Sequence, residues 1–288
     1  MRYSQPETAE EVVAILAEDA DARCLAGGAT LVAMLNAGLV APSHLVSLRR
    51  VDGLAGIARL PDGRVRVGAM TRHAAVAAHR GFCGGQAILA AAARRIGHPA
   101  IRNMGTIGGS ICHADPSADY PTAICAAGAD VEILGPAGVR TVRAADFFMD
   151  WFETALGPGE IVTAVTLPVE PAGAGVHYEK FTRADGDFAT VSVAAVLERS
   201  DGACRKLQVA VGGAAGKPVR DPAAEATLVG GPLDDARLHG FGEALAAQCD
   251  PVDDMRGSAA YRLKLVPRLV ARALRAAQAD ETKRRGAA

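Results

Sequence analysis

Two glycine-bearing segments, Ala26-Gly27-Gly28-Ala29-Thr30-Leu31 and Thr106-Ile107-Gly108-Gly109-Ser110, constrain the folding of this chain more than any other feature. Each sets paired glycines beside a small hydroxyl residue. Glycine reaches φ > 0 without strain and lets a ligand come within hydrogen-bonding distance of bare N–H groups. Successive N–H groups in such a turn make a concave donor array suited to phosphate oxygens, and the hydroxyls of Thr30, Thr106 and Ser110 add donors. One such segment is an ordinary tight turn. Two in one chain point to a clamp on a pyrophosphate, and so to a dinucleotide such as FAD; spacing alone leaves a pair of unrelated turns equally open.

Length and charge narrow the function classes. At 288 residues the chain can build two domains, each with its own core. With 31 basic and 32 acidic residues, it has no charge excess to attract nucleic acid or an anionic membrane. No apolar run reaches the roughly 20 residues that a membrane span needs. The opening residues lack the apolar segment of a signal peptide, so the expected location is cytoplasmic. Cys24, Cys83, Cys112, Cys125, Cys204 and Cys249 form no C-x-x-C pair, which indicates buried thiols and no iron–sulfur or zinc site on this chain. His73, His98, His113 and His177 lack metal-ligand spacing and read as structural or surface residues. Neither a Walker loop nor G-x-G-x-x-G is present, which argues against P-loop and Rossmann sites.

Periodicity and turn signals outline an α+β chain. A helix is expected over 8–17, with Thr8 and Glu11 as a capping box. A strand at 23–25 runs into the first glycine segment, and a helix over 30–37 follows, its N-terminus facing whatever the loop holds. A strand at 44–48 completes a small parallel subdomain. Next come a strand at 64–67, an alanine-rich helix over 87–96 stopped by Gly97 and Pro99, a hairpin of 130–134 and 139–142, and a strand at 160–167. Residues 168–175, rich in proline and glycine, form a candidate linker. Three antiparallel strands (177–181, 190–197 and 206–211) and three helices (222–229, 234–247 and 258–277) follow. Lys283-Arg284-Arg285 reads as a frayed tail.

The run from Ile101 to Pro121 resembles the signature of the FAD-binding medium subunits of molybdenum hydroxylases, the carbon monoxide dehydrogenase and xanthine dehydrogenase families. Ala26–Leu31 with Pro42-Ser43-His44-Leu45-Val46-Ser47-Leu48, the strand Glu160–Pro168, and Tyr178-Glu179-Lys180-Phe181 with Gly186-Asp187-Phe188-Ala189 resemble further motifs of that family, in family order. The resemblance implies a two-subdomain FAD-binding fold of the PCMH type at 1–172 (subdomains about 1–56 and 57–172). A C-terminal domain at 173–288, a three-stranded antiparallel sheet with three helices, would follow.

By position, the resemblance makes Ala26, Gly27, Gly28, Ala29, Thr30 and Leu31 one pyrophosphate loop, and Thr106, Ile107, Gly108, Gly109 and Ser110 the second. Asp119 falls near the ribityl and phosphate region. Ile96 and Ile161 fall on apolar lining positions, where plain core packing is an equal reading. Lys180 falls where a cation faces the flavin, and Asp187 and Phe188 fall beside its ring. Ser110 replaces the usual asparagine, and Phe188 the usual tyrosine or tryptophan. No residue is assigned as catalytic and none as a metal ligand. The implied function is electron transfer. A large molybdopterin-binding subunit would oxidise the substrate, a small subunit with two [2Fe–2S] clusters would relay electrons, and FAD here would pass them to quinone, NAD or oxygen. The assembly would be a heterotrimer or a dimer of heterotrimers. The alternatives are a free-standing FAD-dependent oxidoreductase of the wider fold, or a protein that has lost the cofactor.

Overall fold

The computed structural model describes residues 1–286. The chain opens with β1 (Arg2–Ser4), α1 (Ala9–Glu18), β2 (Arg23–Leu25), α2 (Leu31–Asn36) and β3 (His44–Ser47). The three strands form one parallel sheet in the order β1-β3-β2. Thr8 caps α1 as a full capping box with Glu11, which orients the helix so that Val12 and Val13 meet Val46, Leu134 and Ile161 in a small core. Strand β1, three residues long, is too short to show alternation in sequence, and it went unseen there.

The middle of the chain holds β4 (Ile57–Arg59), β5 (Val65–Gly68), α3 (His73–Ala78), α4 (Ala87–Ala93), α5 (Pro99–Met104), α6 (Ile107–His113), α7 (Asp119–Ala126), β6 (Asp130–Gly135), β7 (Gly138–Arg143), α8 (Ala144–Phe147), β8 (Phe148–Asp150), β9 (Glu153–Thr154) and β10 (Ile161–Leu167). Five of the strands form an antiparallel sheet in the order β4-β5-β10-β6-β7. Helix α4 stops at Ala93, short of the expected 96. Gly97 turns to φ +46°, and Arg102 Nη1 donates to the Ile96 and Gly97 carbonyls at 2.9 and 2.8 Å. The carbonyls beyond the helix are thus satisfied by a side chain instead of another turn.

The last part comprises β11 (Gly175–Phe181), β12 (Val191–Ser200), β13 (Ala203–Gly212), α9 (Pro222–Leu228), α10 (Asp235–Ala247) and α11 (Ala259–Gly286). The strands are antiparallel in the order β11-β12-β13, and Asp201 and Gly202, both at positive φ, close the β12–β13 turn. Both faces of this sheet are buried. Val191, Val193, Ala195 and Leu197 pack toward α10 and α11, while Ala194 and Val196 join Ile88, Leu89, Tyr120 and Ile124 of the preceding part in one core. This explains why β12 is nearly all apolar and does not alternate. Helix α11 runs through Lys283 and Arg284, with Arg284 Nε paired to Asp280 at 2.7 Å, so the expected frayed tail is helical as far as Gly286.

Candidate functional site

At the end of β2, paired with Ser47, the chain leaves the sheet and turns through the first glycine segment. Gly28 takes φ +79°, a conformation that favours glycine. Gly27 is required for another reason: a Cβ there would stand 2.0 Å from the Met104 carbonyl oxygen at the end of α5. The N–H groups of Gly27, Gly28, Ala29 and Thr30 meet no acceptor among the described residues. Ala29 and Leu31 are half-buried beside them, and Ala26 leads in. This is the donor array expected of the segment.

The second segment is built differently, and that corrects the expectation of a second open donor loop. It forms the first turn of α6. Thr106 caps the helix, its Oγ1 accepting from Gly109 N at 3.2 Å. Ile107 N donates to Thr71 O at 3.0 Å, Gly108 N to Ala69 O at 2.8 Å and Ser110 N to Thr106 O at 3.0 Å. Ile107 is fully buried. Gly108 serves close packing, since a Cβ there would stand 2.6 Å from the Ala69 Cβ. The groups left for a ligand are Gly109, exposed and 3.8 Å from the Ala26 Cβ at its own Cβ position, and the Ser110 hydroxyl, which has no partner among the described residues. Residues 26 and 109, far apart in sequence, thus lie side by side.

Helix α5 connects this clamp to the remaining candidates. Its C-terminal end meets Gly27. At the other end Gly97 and His98 lie against Gly186, where a Cβ would stand 3.1 Å from the Gly97 oxygen and from His98 Cε1. Six residues of helix span about 9 Å, and Ile101 and Met104 leave apolar surface exposed along them. Gly186 belongs to the loop 182–190, in which Asp187 Oδ1 accepts from Phe188 N at 2.7 Å and the Phe188 ring is 42 % exposed. Ile96 is half-buried against the main core. Ile161 is 4 % exposed inside the small core, so packing with Val12 and Leu134 accounts for it.

Asp119 and Lys180 are one unit. Lys180 Nζ donates to Asp119 Oδ2 at 2.9 Å and to Arg95 O at 3.1 Å, and the Tyr178 hydroxyl donates to Asp119 Oδ1 at 2.8 Å. Tyr178 and Lys180 lie two apart on β11 and so share a face. Burial pushes the Asp119 carboxyl up; the Lys180 ammonium and the hydrogen bonds pull it back. Lys180 is therefore not the free cation that its position led one to expect, but half of a buried pair joining α7 to the C-terminal sheet. Sequence reasoning missed Tyr178, although the spacing Tyr178-x-Lys180 is a signal that could have found it. Next to Asp119, Tyr120 packs on His73 with ring centroids 5.2 Å apart, and burial lowers His73 to about 4. His113 packs against Phe152, His177 contacts Glu179 at 3.1 Å, and no cluster of metal ligands occurs among the described residues.

Two family models match the chain: the FAD binding domain in molybdopterin dehydrogenase over residues 1–170, and the CO dehydrogenase flavoprotein C-terminal domain over 176–277. The chain belongs to the FAD-binding medium subunits of the molybdenum hydroxylases. The medium subunit of nicotine 6-hydroxylase from Paenarthrobacter nicotinovorans is 37 % identical over 274 residues, covering 95 % of this chain and 96 % of that one. The medium chain of carbon monoxide dehydrogenase from Afipia carboxidovorans is 37 % identical over 281 residues, 96 % of both. A structure of carbon monoxide dehydrogenase from Hydrogenophaga pseudoflava superposes with a TM-score of 0.94 at 36 % identity, covering 97 % of this chain and 98 % of that one.

The residues of this medium subunit fit the cofactor named by its family. The unpartnered amides of 27–30 suit a pyrophosphate, the close approach of Gly109 to Ala26 leaves no side chain in the way, and exposed apolar residues line α5 toward the Phe188 loop. No helix among the described residues is long and apolar enough to cross a membrane.

Proposed function

We propose that the first glycine segment, with Gly109 and Ser110, holds the FAD pyrophosphate, that Asp119 orients the adjoining hydroxyls, and that the flavin ring lies along α5 under Phe188. FAD, when bound, exchanges electrons singly with metal clusters and in pairs with organic acceptors. The amides of 27–30 donate hydrogen bonds to the phosphates. Lys180 and Tyr178 hold the Asp119 carboxylate in one orientation, and Ile101 and Met104 exclude water from the ring. On this reading the chain takes electrons from iron–sulfur clusters on a small partner and hands them to an external acceptor, while a large molybdopterin-binding partner oxidises the substrate, in a heterotrimer or its dimer in the cytoplasm. The linker at 168–174 supports a division into domains at 1–172 and 173–288.

The observation that carries the reading is the row of unpartnered amides beside Gly109. Co-expression with the large and small partners should yield a yellow complex that releases FAD on acid precipitation. A wild-type complex without flavin absorbance, and unable to take up added FAD, refutes it.

A further inference from the structure

The turn before α11 reaches across to the Phe188 loop. Asp254 and Gly257 exchange backbone hydrogen bonds, both 3.2 Å, and Asp254 Oδ1 accepts from Arg256 N at 2.8 Å. Arg262, 3 % exposed, anchors the turn by donating to Asp254 Oδ1 at 2.5 Å, to Thr190 O at 2.6 Å and to Gly213 O at 2.7 Å. The turn so held presents Arg256, whose guanidinium carbon lies 5.4 Å from the centroid of the Phe188 ring. Asp187 Oδ1 at 3.9 Å and Asp254 Oδ2 at 3.6 Å flank the same guanidinium. A second strut runs alongside, from Arg183 Nη1 to Met255 O at 3.3 Å. Between them lies a cleft of about 260 Å³ lined by Arg183, Ala184, Asp187, Met255 and Arg256.

The two carboxylates are too far away to form tight pairs, and a half-exposed pair contributes little. Their effect is to steer the guanidinium over the ring. Asp187 is shared: one of its oxygens holds the Phe188 N–H and faces Arg256. The ring of Phe188 is half exposed, and an unrestrained side chain of that kind changes rotamer on the picosecond-to-nanosecond scale. A planar cation stacked on one face keeps the ring in a single tilt.

We propose that Arg256 is a positioning residue that acts through Phe188, fixing it as a cover on the flavin ring and so limiting the access of dioxygen and other small molecules to that ring. The inference rests on the reading of Phe188 as the residue beside the flavin. The test uses the assembled, FAD-loaded complex, with flavin content measured by absorbance in every variant. Arg256→Gln should raise the acrylamide quenching constant of flavin fluorescence about two- to fivefold, the population change that loss of such a contact allows. The rate of reoxidation by dioxygen should rise with it. Arg256→Lys, which keeps the charge and loses the planar stack, should fall between wild type and Arg256→Gln. Phe188→Leu should mimic Arg256→Gln, and the double variant should add nothing to Phe188→Leu. Unchanged quenching in a fully loaded Arg256→Gln complex, or a double variant with additive effects, overturns the inference while leaving FAD binding intact. A wild-type complex that takes up no FAD removes the reading of the site and this inference together.

Discussion

Replacing Lys180 with methionine tests the buried pair at the junction of the two parts of the chain. The Asp119 side chain is 6 % exposed and that of Lys180 2 %, so the variant leaves a carboxylate without its paired ammonium, with the Tyr178 hydroxyl donating to it and only the more distant charge of Arg95 in support. Breaking a buried pair by removing one partner costs about 3–5 kcal/mol. The carboxyl can escape by protonating, and that sets a ceiling. Against an unfolded value of about 3.9, neutralising it at pH 7 costs about 4 kcal/mol, and at pH 5 about 1.5 kcal/mol. The folded variant then binds more protons than the unfolded chain across this window, so its stability rises as pH falls. The expected loss is about 3–4 kcal/mol at pH 7, or roughly 10 °C in Tm for a chain of this size, shrinking by more than half at pH 5. Lys180→Met/Asp119→Asn, which removes both charges, should recover most of it. Thermal unfolding of the full chain followed by circular dichroism at the two pH values measures both effects. A variant as stable as wild type at pH 7, or a deficit that does not shrink at pH 5, refutes the coupling of these two groups.

Three further outcomes follow from the geometry. Gly28→Ala, at φ +79° with side-chain methyls of Val32 at 3.2 Å and Leu25 at 3.6 Å, should fold with a penalty of about 1–2 kcal/mol and bind FAD weakly. Gly108→Ala, whose Cβ would press on Ala69, should lose about 1–3 kcal/mol or more through overpacking; equal folding and equal FAD uptake in the two would show that the two glycines do not have separate roles. Glu160→Gln removes the charge and one of the two oxygens that accept from Arg140 at 2.7 and 2.6 Å and from Gly157 N at 2.6 Å, so the pairing with Arg140 loses its fork and its charge. Arg140 holds the Glu160 carboxyl below its usual range, so the loss, about 1 kcal/mol for an exposed partner, should be full at pH 7 and shrink as pH falls below the ordinary carboxylate range through the depressed folded value, as read by denaturant titration. Cys24, Cys112, Cys125 and Cys249 are pushed by burial up to about 12, so in the native chain an aromatic disulfide reagent at pH 8 should label exposed Cys83 first, and Cys83→Ser should remove the fast phase.

Much of the architecture could be read locally. The Thr8–Glu11 capping box and the hairpin expected from 130–134 and 139–142 each act within a few residues, and the structure places both there, the hairpin one residue longer on each side of its turn. The region 99–126 was opaque because its three helices are short and set by contacts outside themselves: Arg102 of α5 reaches back to the Ile96 and Gly97 carbonyls, and the first turn of α6 is bonded to Ala69 and Thr71. The β8–β9 hairpin was likewise missed, being only a few residues long.

By itself the sequence determined the family, the order of the longer strands and helices outside 99–126, and the presence of glycines that tolerate a ligand or a neighbour at close range, because these depend on residue types and short spacings. The tertiary structure alone decided which of the two a given glycine serves. Gly28 and Gly108 sit in similar motifs, yet one has free amides and the other is packed on Ala69, the residue after β5. It also decided that Lys180 faces Asp119, and that Arg256 comes to lie over Phe188. These partners are dozens of residues apart, and only the packing of the C-terminal sheet on α4 and α7 and of the turn before α11 on the 182–190 loop brings their charges close enough to matter.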